Sequence, residues 1–177
     1  DVMNGRWTST DFQRTRGALR FLACCLHSLK SKGGAKPLLG PADIPLGDAE
    51  VVRAMMKDLD PRQEYSPVLT HDLIGSNARA KRIDERLAKE TPALANVRPA
   101  TRLATAILAY SFGGLRREAG TEALPPGVSE TELLAACVGP DLDSITASAV
   151  LGELRNACLY LHYAGIRYCF KKDANVT

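Results

Sequence analysis

The sequence lacks the features that define membrane proteins and disulfide-stabilised miniproteins. No stretch approaches the roughly 18 consecutive apolar residues that a membrane span needs. The 5 cysteines contain no C-x-x-C pair and most lie among apolar residues, so they indicate buried, reduced thiols rather than a zinc site. No signal peptide is visible at the start of the chain. We therefore expect a cytoplasmic protein with no membrane partner and no metal site.

The motifs of a self-sufficient enzyme are also missing. The phosphate-binding loop G-x-x-x-x-G-K-[ST] does not occur: Lys36 follows two glycines, but Pro37 comes next and no strand precedes them. No G-x-S-x-G, H-E-x-x-H or kinase motif occurs, and the 3 histidines are far apart along the chain. The sequence therefore predicts a chain that is not an enzyme by itself and holds no cofactor by itself.

What the sequence does contain is the composition of a globular protein. Hydrophobic residues make up 45% and charged residues 24% of its 177 residues, which excludes a disordered tail and a collagen-like repeat. A chain of this length folds as one domain or as two small ones. It begins with Asp1 rather than Met, so we expect it to be a piece of a longer protein.

Positive charge is concentrated near the start of the chain. Residues 1–40 hold seven basic and two acidic groups, a balance of +5, whereas the whole chain is only +3. Arg14, Arg16 and Arg20 lie within two turns of a predicted helix, and Arg16 and Arg20 share a face at i, i+4. Guanidinium groups bind phosphate bidentately. This pattern is typical of either a solvated basic face or an anion site, and the residues alone leave both open.

Helical periodicity dominates the first half of the chain. A capping box at Thr8 and Asp11 predicts a helix that runs through Lys30. Its predicted core-facing residues recur at helical spacing: Phe12, Leu19, Leu22, Leu26 and Leu29. Further helices are predicted from Asp48 to Pro61 and over 76–90. Residues 65–74 are ambiguous, although Ser66-Pro67 is a typical helix start. The proline-rich passage 36–47 indicates an ordered loop or an extended strap.

The second half predicts a different order of elements. A helix begins at Pro99, a capping box at Ser129 opens a short helix, and Asp141 is predicted to cap a third. Two β-like runs, 159–163 and 166–171, then form a hairpin around Ala164-Gly165. Helix, short helix, turn, helix and hairpin is the order of a winged helix-turn-helix. The predicted fold is therefore mainly α, with a helical unit over 1–96 and a winged helix over 97–177.

A winged helix raises the possibility of DNA binding. Its third helix would enter the major groove, with exposed positions expected at Ser144, Ala147, Ser148 and Leu151. That segment carries few cations, however, and phosphate contacts dominate affinity for DNA. The candidate nucleic-acid contacts are Arg155 in the helix and, in the wing, Arg167, Lys171 and Lys172. The alternatives at this point are a stand-alone DNA-binding regulator, and a protein-contact scaffold that uses the strap 36–47 and the helix 76–90.

Three segments resemble the C-terminal part of the DUF499 proteins, over roughly residues 6–172. They begin at Trp7 and continue at 12–20 (FQRTRGALR), 40–46 (GPADIPL) and 107–114 (ILAYSFGG). The resemblance implies a helical lid and a winged helix that follow an AAA+-like ATPase core. It also implies ATP and Mg²⁺ in the intact protein, and partners that include that core, other subunits of a phage-defence complex, and DNA.

The resemblance further implies a role for the early arginines. In AAA+ ATPases an arginine at the start of a lid helix reaches the γ-phosphate of ATP. Arg16 is the first choice for this sensor role and Arg14 the second, with Arg20 on the same helix. The Walker A and Walker B segments are not in this chain, so the arginines could form at most half of a nucleotide site here.

Overall fold

The computed structural model describes residues 15–31, 38–60, 62–112 and 125–175, without the side chains of 15–18 and 58. These residues are mainly helical, which confirms the predicted class. The helices are α1 (Thr15–Ser31), α2 (Ala49–Leu59), α3 (Ser66–Val68), α4 (Arg79–Glu90), α5 (Pro99–Ser111), α6 (Glu130–Cys137) and α7 (Ser144–Ala157). A π-helical turn, Leu69–Leu73, continues α3, and 3₁₀ turns occupy Pro41–Asp43 and Pro92–Leu94. The strands are β1 (Val128–Ser129), β2 (Leu161–Tyr163) and β3 (Arg167–Phe170).

The helices of the first half follow from local signals, with one shift. Asp48 Oδ1 accepts the backbone N–H of Glu50 at 2.9 Å, so α2 begins where the sequence predicts. Helix α4 buries Ala80 and Ile83, as its apolar stripe predicts, and it also buries one charged residue, Asp84. It begins at Arg79 rather than Ser76, because the preceding residues form a turn.

Helix α5 lies at the centre of the core. Leu103, Ile107 and Leu108 are almost fully buried, as their helical spacing predicts. The residue before its first proline, Arg98, has a φ of 50° and provides no side-chain cap. The cap comes instead from Asp84 of α4, whose carboxylate accepts backbone N–H groups of the first turn of α5. The central helix is therefore held at its start by a neighbouring helix.

A small antiparallel sheet closes the C-terminal half, in the order β1-β3-β2. The predicted hairpin is confirmed: Leu161 pairs with Phe170 and Tyr163 with Tyr168. Gly165 supplies the positive φ of 75° that the hairpin turn requires. The two-residue strand β1, which the sequence pattern did not predict, pairs with the other edge of β3.

The connection between α6 and α7 is a tight turn, and it corrects one expectation. Helix α6 has the predicted capping box at Ser129. Helix α7, however, begins at Ser144 and is capped by Asp143, whose Oδ1 accepts two backbone N–H groups at 2.9 Å. Asp141 does not cap it: its carboxylate lies 2.7 Å from an Arg102 guanidinium nitrogen of α5. Asp141 therefore forms a long-range ion pair instead of capping α7.

One apolar core includes residues from both sides of the predicted boundary between 96 and 97. Met55 and Leu73 come from the first half, and Leu103, Leu151 and Phe170 from the second. Burial of such side chains contributes on the order of 1.5–3 kcal/mol each. The two predicted units therefore pack against each other. Their boundary as separate domains stays a prediction.

Candidate functional site

The predicted phosphate-binding arginines lie at the edge of the described structure. Arg14 lies outside the described residues, and for Arg16 only the backbone position, in the first turn of α1, is described. Arg20 is exposed on α1 and has no ion pair within the described part of the chain. Of the three arginines, only Arg20 has a described side chain. One guanidinium group that is exposed to water does not by itself define a nucleotide site. The sensor role stays a prediction.

The same helix presents its apolar residues differently from the prediction. The buried residues of α1 are Phe21, Cys25 and Ser28. Leu19, Leu22 and Leu26, which were expected to face the core, are exposed by 60%, 39% and 55%. The prediction was wrong for these three leucines, because α2 packs on the adjacent face of α1. The outcome is a row of exposed leucines at spacings of three and four, hereafter the leucine stripe.

The exposed surface of α7 also differs from the expectation. Ala147 and Leu151 are buried rather than exposed. The outward face consists of Ile145, Ala149, Gly152 and Asn156, and Ile145 is 82% exposed. The exposed residues of α7 also include Ser144 and one charged residue, Arg155. The buried face of α7 is rotated from the predicted one, because Ala147 and Leu151 pack into the core together with Val150 and Leu154.

Three of the four candidate nucleic-acid cations have partners within the described structure. The Arg155 guanidinium carbon lies 4.5 Å from the centre of the Tyr163 ring, within cation–π range. Arg167 donates to the Gly127 carbonyl and forms an ion pair at 3.0 Å with Glu132.

The remaining pair of cations lies at the end of β3. Lys172 Nζ lies 3.3 Å from a carboxylate oxygen of Glu64, and both side chains are exposed, so the pair contributes little stability. Lys171 is exposed and has no ion pair among the described residues. Three of the four cations therefore already have partners, and Lys171 alone among the four has no ion pair within the described part of the chain.

Three carboxylates lie on α7, at its N-terminus or in contact with it. Glu153 of α7 pairs with Arg86 of α4, and Glu130 accepts a hydrogen bond from Ser148 at 3.1 Å. Backbone and side-chain hydrogen bonds from Thr146 lower the pKa of Asp143 below its usual range. These carboxylates oppose the approach of a phosphate backbone to α7.

Sequence reasoning missed two buried carboxylates that tie the halves of the protein together. Asp72 is fully buried and accepts the backbone N–H groups of Leu159 and Tyr160, at 3.0 and 2.8 Å. The Asp84 carboxylate likewise accepts two backbone N–H groups at the start of α5. Burial raises the pKa of both carboxyls, and it outweighs the hydrogen bonds that lower it. The available signal was an aspartate inside an apolar helical pattern, such as Asp84 beside Ile83.

A groove of about 570 Å³ lies between α2 and the segment that leads into α3. Val52, Met56 and Leu69 supply its apolar surface. The Asp60 carboxylate at this groove accepts the backbone N–H groups of residues 64 and 65, at 2.9 and 2.7 Å. The groove is also lined by polar and charged residues, so it offers both apolar and polar contacts to a ligand: Arg53, Lys57, Gln63 and Ser66.

The cysteines do not form a reactive or metal-binding group in the described structure. None of the five forms a disulfide within the described structure, and only Cys24 is partly exposed. Burial raises the pKa of Cys25 and of Cys137 to about 12, so neither is a thiolate at neutral pH. Among the described residues, no group of three or more histidines, cysteines, aspartates or glutamates could hold a metal ion. None of the described helices is long and apolar enough to cross a membrane.

Comparisons with protein-family models, with curated proteins and with solved structures give no match to this chain. The similarity to the DUF499 proteins therefore remains a prediction that rests on the three sequence segments quoted above.

Proposed function

We propose that this chain is a non-catalytic interaction module of a larger AAA+-like ATPase of the DUF499 type, and that residues 97–177 form a winged helix-turn-helix. The order α5, β1, α6, α7, β2, β3 supports the winged helix, as does the sheet order β1-β3-β2. In this reading the tight turn at Gly139 joins the two helices of the turn motif, and the β2–β3 hairpin is the wing.

The observation that carries the proposal is the outward face of α7, beside which Arg155 is the one exposed charged residue of the helix. A helix that reads DNA needs donors and cations on the face that enters the major groove. Here that face presents Ile145, Ala149, Gly152 and Asn156, while Arg155 stacks on Tyr163 beside it. Small and apolar residues suit contact with another protein surface better than with phosphates. The winged helix is therefore proposed to bind protein, within a DNA-related or phage-defence complex.

The ATPase part of the proposal comes from the resemblance. Arg16, with Arg14 and Arg20 on the same segment, would reach the phosphates of ATP bound with Mg²⁺ in the core of the intact protein. An exposed Arg20 without an ion pair in the described structure is compatible with that role. By itself the chain is expected to bind nucleotide weakly or not at all.

A DNA titration tests the protein-contact role. Fluorescence anisotropy with a labelled duplex of about 20 base pairs, at low and at physiological salt, should show no binding tighter than the non-specific range of about 10⁻⁴–10⁻⁶ M. The matched variant is Lys171→Glu, which removes the wing cation that has no ion pair among the described residues. Binding in the nanomolar range at physiological salt that Lys171→Glu weakens would favour the stand-alone DNA-binding regulator instead.

Turnover of ATP in the full-length natural protein tests the sensor role. Arg16→Ala should lower ATP turnover by about 10²–10³-fold, the range seen when one preorganised donor to a transition-state oxyanion is lost. The control is Lys89→Ala, an exposed cation on α4 that is remote from the proposed nucleotide site in sequence. Equal turnover by Arg16→Ala and Lys89→Ala would refute the sensor assignment.

A further inference from the structure

The leucine stripe of α1 has no described element covering it. Eight large hydrophobic side chains in the described structure are exposed, and three of them are Leu19, Leu22 and Leu26. Exposed apolar side chains that occur singly are ordinary, but three on one helix face form a contiguous patch. Because residues three and four apart are neighbours on a helix surface, the three leucines make one ridge along α1.

The stripe is separate from the face that holds α1 in place. Phe21 and Cys25 are buried at the same helical spacing, and α1 packs through this buried face against α2. The leucines therefore lie outside the fully buried face of α1, and each exposes apolar surface to water. Leucines at i, i+3 and i+7 form the pattern through which one amphipathic helix packs on another.

Charge on α1 indicates which kind of helix fits. The helix Thr15–Ser31 contains Arg16, Arg20 and Lys30 and no acidic residue. A second copy of this chain would bring the same three cations against them, and like charges across an interface oppose association. A partner helix with acidic residues beside its apolar positions would be attracted instead.

We infer that the leucine stripe is a docking surface for an acidic amphipathic helix of a partner protein. Leu19, Leu22 and Leu26 would insert between apolar residues of that helix, and the cations of α1 would lie beside its carboxylates. The inference does not rest on the proposed ATPase, because it uses only the exposure and the charge of α1.

Peptide binding to the full chain tests the inference. The probe is a fluorescein-labelled helical peptide of about 21 residues, with leucine at every third and fourth position and glutamate elsewhere. A second peptide carries lysine in place of glutamate. The variant Leu22→Gln/Leu26→Gln removes most of the stripe, and Leu38→Gln is the control, since Leu38 is 82% exposed outside α1. Thermal melting checks that the variants remain folded.

The acidic peptide should bind the natural chain saturably, about tenfold or more tightly than the lysine peptide. Leu22→Gln/Leu26→Gln should weaken that binding by about tenfold or more, and Leu38→Gln by less than about twofold. Equal binding of the two peptides, or equal binding by the two leucine variants, would overturn the inference. So would a dimer in sedimentation that Leu22→Gln/Leu26→Gln abolishes, because the stripe would then be occupied by a second copy.

Discussion

Removal of the Asp84 carboxylate should loosen the central helix of the protein. Asp84 Oδ1 accepts the N–H of Ala100 at 2.8 Å, and Oδ2 accepts the N–H and the hydroxyl of Thr101, at 2.9 and 2.5 Å. The residue at the N-cap position, Arg98, offers these donors no side-chain acceptor. In Asp84→Ala the first turn of α5 therefore loses its cap, next to the largest part of the core.

The expected loss follows from the donors left without a partner. Each buried donor without an acceptor costs about 1–3 kcal/mol, so two backbone N–H groups cost roughly 2–6 kcal/mol. That is a large part of the roughly 5–15 kcal/mol that stabilises an ordinary domain. For a chain of this size, about 2–4 °C of melting temperature is lost per kcal/mol, so the fall is on the order of 4–24 °C. Asp84→Asn keeps one acceptor and should fall between the natural protein and Asp84→Ala.

Thermal melting and urea unfolding followed by circular dichroism measure this loss. The control is Glu85→Ala, which changes the exposed neighbouring residue of the same helix. Surface substitutions of this kind usually change stability by no more than about 0.5 kcal/mol. A free energy of unfolding for Asp84→Ala within about 1 kcal/mol of that for Glu85→Ala would refute the capping role.

The remaining predictions concern pH, glycines and thiols. Because burial raises the pKa of Asp72, the folded state favours its protonated form. The unfolding free energy of the natural protein relative to Asp72→Asn should therefore fall as pH rises from about 4 towards neutrality; urea titrations showing a constant difference would contradict this. In melting experiments Gly127→Ala should destabilise the protein, because its φ is 100° and a Cβ would lie 2.5 Å from the Tyr168 carbonyl oxygen. Gly152→Ala should stabilise the protein by about 0.5–1 kcal/mol, because Gly152 lies inside α7 and a Cβ would meet no atom within 4 Å. A thiol reagent at pH 8 should modify Cys24 rapidly and Cys25 only on unfolding, since the pKa of Cys25 is about 12; rapid reaction of both would show otherwise.

The parts of the fold that were predictable depend on neighbouring residues. The start of α2 at Asp48, the capping box at Ser129 and the hairpin turn at Gly165 each arise from contacts within a few residues. Such contacts can be predicted from the local sequence, because the side-chain oxygen of an N-cap residue reaches only the backbone N–H groups two or three residues further along the chain. The mainly helical class follows from the same local patterns.

The candidate surfaces were less predictable, because their residues have distant partners. Arg167 was expected to be available to DNA, but it bonds to Glu132 and to the Gly127 carbonyl, 35 and 40 residues away in the chain. Lys172 likewise pairs with Glu64 across a separation of 108 residues. The sequence shows where these cations lie along the chain, but it does not show which carboxylates and carbonyls they bind in the folded protein.

The sequence by itself determined the helical class, most helix starts, the hairpin and the concentration of positive charge near the start of the chain. Only the tertiary structure decided which apolar face of α1 is buried, since Leu22 and Phe21 are equally apolar and α2 covers only the face that holds Phe21. It also decided the partners of Asp72 and Asp84. The physical reason is the same in each case: the free energy of a buried face or a buried carboxylate depends on a neighbour that is remote in sequence, and that neighbour is known only when the chain has folded.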